Sequence, residues 1–382
     1  MTPFDFFPRT RIVFGVDCVD TLGDRAGEMG VRRALVVSDP GIVAAGHTER
    51  GVESLRKAGI TTVVFDEVQE NPTTEDVVRG VAVAKRLEPE LLVGLGGGSS
   101  MDCAKGINFI YSNGGRMADY WGVGKALREM LPMIAIPTTA GTGSETQSFA
   151  LISDAETHVK MACGDKKASC RIAMLDPGLT LTQPPRVTAL TGIDAVAHAL
   201  ETFVTTKRNP ASMAFSRESW RLLSTNFSQV LQTPSDIEAR GAMQLGACFA
   251  GLAIENSMLG ATHALANPLT SRFGIVHGQA IGLMLPHVIR FNAEVCADSY
   301  SVLADLVGVA TSDSARENAE RLAVFVEDLV RQAGLPQQLR QCSVTEDTLG
   351  TLAEESAKQW TGTFNPRQVD ATSLLRLYER AY

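Results

Sequence analysis

No Cys-x-x-Cys pair occurs in this 382-residue chain, and its seven cysteines stand apart at 18, 103, 163, 170, 248, 296 and 342. That odd, scattered set excludes a disulfide-dense framework and predicts reduced thiols that mostly fill core space. Basic charge is also short, with 35 Lys plus Arg against 43 Asp plus Glu and a net charge of -8, which argues against nucleic-acid and anionic-membrane partners. No uninterrupted apolar run is long enough to span a bilayer, and the opening MTPFDFFPRTRIVFG lacks a basic segment followed by a long apolar one. A soluble cytoplasmic protein is the expectation. Repeats and low-complexity segments are missing too. What remains is an ordinary globular composition, 45% hydrophobic and 20% charged, in a chain long enough for two domains with substantial cores.

Histidine is scarce as well, with only six in the chain. Three of them, His198, His263 and His277, sit in apolar, Gly- and Ala-rich surroundings where an unpaired imidazole is costly. Asp194 and His198 are four apart in TGIDAVAHALETFV, a helical pattern that puts both on one face, one turn apart. His263 lies in LGATHALANPL and His277 in FGIVHGQAIG. A fold that joins these segments makes a set of one carboxylate and three imidazoles, suited to iron(II) or zinc rather than magnesium or calcium. A surface Asp–His pair and ordinary hydrogen-bonded core histidines explain the same residues.

The first half alternates β-branched runs (RIVF, ALVVSD, TTVVF, ELLVGL, MIAIP) with helical periodicity such as Val77, Val78, Val81, Ala84 and Leu87. Alternation of that kind predicts βαβ units and a mainly parallel sheet covered on both faces, whose ligands bind at the carboxyl ends of the strands. There the glycines lie. ELLVGLGGGSSMDCAK runs from a strand through Gly96, Gly97, Gly98 and Ser99 into a helix, a place where backbone amides meet a pyrophosphate, although a tight strand-to-helix turn needs the same glycines. Thr138, Thr139 and Thr142 follow the MIAIP strand in a second loop fit to hold ribose or phosphate, or to cap the next element. Asp39, just past the ALVVS strand, is placed either to accept from ribose hydroxyls, which favours NAD over NADP, or to cap a turn. Further strands are expected in FALISD, HVKMAC and RIAMLD, with a turn at DAET, and nearly everything from Val187 onward reads as helix. The predicted domains are 1–182, α/β, and 183–382, helical, joined across a cleft.

GGGSSMDCAK, PTTAGTGSE, the Asp194–His198 pair, GATHALANPL and HGQAIGLMLPHV, in that order along nearly the whole chain, resemble the iron-containing, group III alcohol dehydrogenase family. The resemblance implies a Rossmann-like α/β dinucleotide-binding domain followed by an all-α domain, an architecture shared with dehydroquinate synthase. It implies Asp194, His198, His263 and His277 as metal ligands. It also implies a cofactor site with Asp39 at the adenosine ribose, Gly97, Gly98 and Ser99 at the pyrophosphate, Asp102 just inside the next helix, and Asn71, Thr138, Thr139, Thr142 and Lys160 along its walls. The implied activity is hydride transfer between a small alcohol, diol or aldehyde and NAD, with NADP less favoured. Iron is the first expectation for the metal and zinc the second.

One residue departs from the pattern. Many family members carry a second histidine four residues after the third ligand, where this chain has Asn267, which cannot titrate near neutrality. Proton release is therefore expected through water and ribose hydroxyls. Phe149, Leu259 and Thr361 resemble substrate-pocket positions, and Asn-Pro-Arg at 365–367 resembles a family signature without assigned chemistry. A homodimer or larger homo-oligomer is implied, with the FFPRTRIVFG edge strand available to pair. Glycerol-dehydrogenase-like and dehydroquinate-synthase-like enzymes, which also use a metal and NAD, are the alternatives.

Overall fold

The computed structural model describes residues 3–382. The chain divides into two compact units, one formed by Phe7–Gln183 and the other by the segment through Phe6 together with Pro184–Tyr382.

Phe7–Gln183 carries nine strands: β1 Arg11–Phe14, β2 Arg33–Val37, β3 Thr61–Phe65, β4 Leu91–Gly96, β5 Gly122–Val123, β6 Met133–Pro137, β7 Phe149–Ser153, β8 Lys160–Gly164 and β9 Ile172–Leu175. Its helices are α1 Leu22–Gly27, α2 Pro40–Ala44, α3 His47–Lys57, α4 Thr74–Leu87 and α5 Gly98–Asn113. Six strands form one wholly parallel sheet in the order β1-β9-β6-β4-β2-β3. Alternation along each strand sends its side chains to two separate cores. Leu35 and Val37, Leu92, and Met133 and Ala135 pack on one face with α4 and α5. Ala34 and Val36, Leu91, Val93 and Leu95, and Ile134 and Ile136 pack on the other with α1 and α3.

Both FALISD and HVKMAC form strands and residues 77–87 are helical, as expected, but packing adds two details. The FALISD and HVKMAC strands do not extend the parallel sheet; β7 and β8 form an antiparallel hairpin in a separate three-stranded sheet, β5-β8-β7. In α4, Val77, Val81 and Ala84 are buried while Val78 is 65% exposed. The inward stripe follows the i, i+4, i+7 positions, and Val78 lies a further 100° round the helix.

The other unit contains α6 Pro185–Val204, α7 Pro210–Gln232, α8 Ile237–Glu255, α9 Ala261–Phe273, α10 His277–Leu306, α11 Ala315–Gln332, α12 Leu349–Ser356 and α13 Ala371–Ala381. Its central helix, α6, is long and apolar enough to cross a membrane, but 89% of its apolar window is buried, with α7, α8 and α10 packed around it. Close packing needs small residues on α6 and α10. A Cβ at Gly192 would fall 2.3 Å from the Phe227 ring, and one at Gly278 only 2.2 Å from the Leu190 carbonyl oxygen. All seven cysteines are free thiols, four of them buried, and burial pushes Cys170 up to about 11 and Cys163 up to about 12.

Candidate metal centre and dinucleotide site

The carboxyl ends of the adjacent strands β2, β4 and β6 carry three loops with different jobs. After β2, Asp39 caps α2: its Oδ1 accepts from the Ile42 amide at 3.1 Å, and its Oδ2 accepts from the Ser100 hydroxyl at 3.0 Å. At the end of β4, Gly96 takes a positive φ of 153°, and a Cβ there would meet the Ser100 hydroxyl at 2.4 Å. Gly97 is the N-cap of α5, and no side chain caps that helix. The first-turn amides of a 16-residue helix are therefore left for an anion. After β6, Thr139 flanks Gly97 and Thr142 presses on Gly98, while the buried Thr138 hydroxyl has no hydrogen bond in the described residues.

The remaining cofactor candidates fall into two groups. Ser99, Asn71 and Lys160 are linked: Ser99 Oγ accepts from the Asn71 amide at 3.2 Å, and Asn71 Oδ1 accepts from Lys160 Nζ at 3.2 Å. Asn71 reaches this position through a left-handed backbone, φ 55°. Asp102 instead lies beneath the second loop, accepting from Ser144 Oγ at 2.6 Å and from the Leu151 amide at 3.2 Å, and burial raises its pKa. Its neighbour Lys105, which sequence reasoning passed over, is fully buried and ties Ser144 to the Phe149 carbonyl oxygen. Phe149 sits on β7 with its ring against Gly164.

Glu145 closes the second loop and is buried, which pushes its carboxyl up to about 7 from an ordinary 4.5. Between those values the folded protein keeps a proton that the unfolded chain has released, so stability falls as pH rises through that window. Glu145→Gln is expected to be more stable than the parent at about pH 8, by up to about 3 kcal/mol, and equal to it at about pH 4. Urea unfolding of both proteins across that range checks this; a constant difference would remove the carboxyl as its source.

In the helical unit, residues from three helices converge on one oxygen. Asp194 Oδ1 lies 3.4 Å from His198 Nε2, 3.5 Å from His263 Nε2 and 3.6 Å from His277 Nε2. One ligand atom each from Asp194, His263 and His277 lies within 4.8 Å of the others, and His198 joins through Asp194. The rings of His198 and His263 stack at 4.9 Å. Local sequence explains each placement. Asp194 and His198 are one turn apart on α6, His263 opens α9, and His277 opens α10, where Gly278 allows the helix end to rest on the backbone of α6.

The electrostatics suit a cation. Burial raises the Asp194 carboxyl, but the three imidazoles outweigh it and hold Asp194 well below the usual carboxylate range. For His263 burial acts downward, and Glu201 and Asp194 overcome it, raising the ring to about 9. Asp194 Oδ1 and His263 Nε2, 3.5 Å apart, are buried without a hydrogen bond among the described residues, and a divalent ion would satisfy both. The donor set, one carboxylate oxygen and three imidazole nitrogens, fits iron(II) or zinc. His277 is the most open of the four, its side chain 34% exposed against 6–9% for the others.

Glu201 was missed by sequence reasoning. It follows Asp194 and His198 at the i+7 position of α6, on the same face, and its Oε2 lies 2.5 Å from His263 Nδ1. That spacing was a usable signal. Asn267 donates from Nδ2 to Gln359 Oε1 at 3.0 Å. Leu259 is half-buried ahead of α9, and the Thr361 hydroxyl is buried without a hydrogen bond.

The fold and both halves of the sequence define the class. Residues 8–177 match the iron-containing alcohol dehydrogenase family and residues 188–382 its C-terminal domain, so the chain belongs to that family. Among its relatives is the NAD-dependent methanol dehydrogenase of Bacillus methanolicus, 33% identical over 378 residues and 99% of each chain. A solved 1,3-propanediol oxidoreductase superposes with a TM-score of 0.97 at 31% identity, covering 100% of both chains. The sulfoacetaldehyde reductase of Bifidobacterium kashiwanohense, solved in complex with NAD+, superposes with a TM-score of 0.91 at 27% identity, covering 100% of this chain and 99% of the other.

Proposed function

We propose that the protein is a metal-dependent, NAD(H)-linked alcohol dehydrogenase and aldehyde reductase, moving hydride between a small primary alcohol or diol and nicotinamide. The convergence of three imidazole Nε2 atoms on Asp194 Oδ1 carries this reading, and family membership supports it. Asp194, His198, His263 and His277 would hold Fe2+, with Zn2+ second, and the ion would supply Lewis acidity toward the substrate oxygen. NAD supplies the hydride chemistry, and the chain supplies binding and alignment.

Those contributions can be assigned to atoms. The first amides of α5, from Gly98 and Ser99, would bind pyrophosphate, and the bare Cα of Gly97 would let it approach. Thr138, Thr139 and Thr142 wall the site, while Lys160 and Asn71 close it beyond Ser99. Asp39 would accept from ribose hydroxyls and repel a ribose phosphate. Asp102 supports the second loop from beneath. Asn267 cannot take up a proton near neutrality and keeps its amide on Gln359, so the alcohol proton would have to leave through water and ribose hydroxyls. Leu259 and Thr361 in the helical unit, and Phe149 on β7, are the residues this reading assigns to selection of short-chain substrates. Edge strand β1 is offered for pairing in a homodimer or larger assembly in the cytoplasm.

The test is absorbance of NADH. Anaerobically purified protein loaded with iron(II) or zinc is expected to reduce NAD with short alcohols or diols, and NADP much less well. Silence with alcohols, and with the matching aldehydes plus NADH, overturns the reading. In Asp39→Gly the preference for NAD over NADP in kcat/KM should fall about tenfold or more, while glycine at the N-cap costs only a few tenths of a kcal/mol. An unchanged preference would remove Asp39 from cofactor selection.

A further inference from the structure

The first turn of α9 carries His263, yet its N-cap is Gly260, which has no side chain to satisfy the helix amides. Two distant residues do so. Glu201 Oε1 accepts from the Thr262 amide at 2.6 Å, and Asn365 Oδ1 accepts from the Ala261 amide at 3.2 Å. Gly260 fits between them: a Cβ there would lie 3.0 Å from Asn365 Oδ1 and 3.1 Å from Glu201 Oε1. Asn365 is itself locked, donating from Nδ2 to Asn292 Oδ1 and to the Arg367 carbonyl oxygen, both at 2.7 Å. Asn292 Nδ2 returns a bond to Asn365 Oδ1 at 3.1 Å. All three side chains are buried, Glu201 and Asn292 on α6 and α10 and Asn365 in the Asn-Pro-Arg segment.

We infer that Glu201 sets the tautomer of His263 and thereby its capacity to ligate metal, with the Asn365–Asn292 amide pair holding the α9 terminus in register. This rests on the metal centre proposed above and assigns a role to the Asn-Pro-Arg segment. A carboxylate only accepts hydrogen bonds, so Glu201 Oε2 at 2.5 Å requires the proton on His263 Nδ1. Nε2, 3.5 Å from Asp194 Oδ1, is then the ring atom that would give up its proton to ligate a cation. With the other tautomer, an N–H would occupy the ligand direction. Partners that orient a ligating imidazole in this way contribute about 10- to 100-fold in metal affinity. Glu201, Asn365 and Asn292 are positioning residues.

Glu201→Gln is the discriminating variant, because it keeps the size of the side chain while replacing one acceptor by a donor. The Thr262 amide can only donate, so the Gln oxygen turns to it and the NH2 faces His263 Nδ1, driving the ring proton to Nε2. Chelator competition with Co2+ is expected to show affinity about 10- to 100-fold weaker than in the parent, with an altered d–d absorption spectrum. Asn365→Ala should fall between the two, and affinity equal to the parent's would remove Asn365 from the inference. If the parent binds Co2+, His263→Ala does not, and Glu201→Gln matches the parent, the tautomer role is overturned and the metal centre stands. If the parent itself fails to bind, the metal centre falls. A measurement on the unmutated chain guards against misfolding of the variant. In zinc-loaded protein labelled with 15N-histidine, the His263 resonances, assigned by their loss in His263→Ala, should show the proton on Nδ1; a proton on Nε2 overturns the inference.

Discussion

His263→Ala is expected to abolish metal-dependent NADH formation, with kcat/KM falling by about 10^3-fold or more. Lewis-acid stabilisation contributes several kcal/mol, and each 1.4 kcal/mol is tenfold in rate. The effect should exceed that of replacing any other imidazole in the set. His263 is the one imidazole of the set placed against two buried carboxylates, Asp194 and Glu201, so its loss removes a cationic neighbour from both. Metal content by elemental analysis and NADH formation should fall together. A variant that keeps a full equivalent of metal and its turnover would show that the ion is held elsewhere.

Replacing Gly97 by Ala should raise KM for NAD by about tenfold or more while leaving thermal stability close to that of the parent. The backbone makes this a clean probe. Gly97 has φ -74° and ψ -173°, an extended conformation open to any residue, and an added Cβ would meet nothing nearer than Thr139 Cγ2 at 3.6 Å. Loss of affinity then reports a methyl group placed where the pyrophosphate must come close. Gly98→Ala supplies the contrast, because its Cβ would sit 2.7 to 3.2 Å from three atoms of Thr142. That variant should lose about 1–3 kcal/mol of stability from overpacking. Calorimetric titration with NAD and thermal melts separate the two. Unchanged NAD affinity in Gly97→Ala would remove the loop from pyrophosphate binding.

Much of this was legible in residue order, since the signals are local. The β-branched runs became strands where expected, because alternation on a sheet covered by helices leaves both faces apolar. Asp194 and His198 were legible as a pair because one helical turn is a property of the backbone. The same periodicity applied to Glu201, seven residues past Asp194, but its partner His263 lies 62 residues away and no spacing rule connects them. Val78 lies in the expected helix but faces outward, because adjacent positions on a helix differ by 100° and the packed face that covers Val77 leaves Val78 exposed. The β7–β8 hairpin read correctly as two strands, but its departure into a second sheet depended on partners elsewhere in the chain.

Asp39 shows the boundary within one residue. Asp-Pro-Gly after a strand spells a helix cap, which it is, while the approach of Ser100 to its second oxygen comes from the adjacency of β2 and β4. Residue order alone carried what depends on neighbours within a turn or two: strand and helix identity, the glycine loops, the caps and the Asp194–His198 pair. Packing decided the rest. The seating of Gly278 on the Leu190 carbonyl brings His277 to Asp194, and the slot at Gly260 lets Glu201 and Asn365 reach the turn that bears His263. Those contacts join segments some 60 to 100 residues apart, where the deciding quantity is the space a side chain leaves between two backbones rather than any periodicity along one.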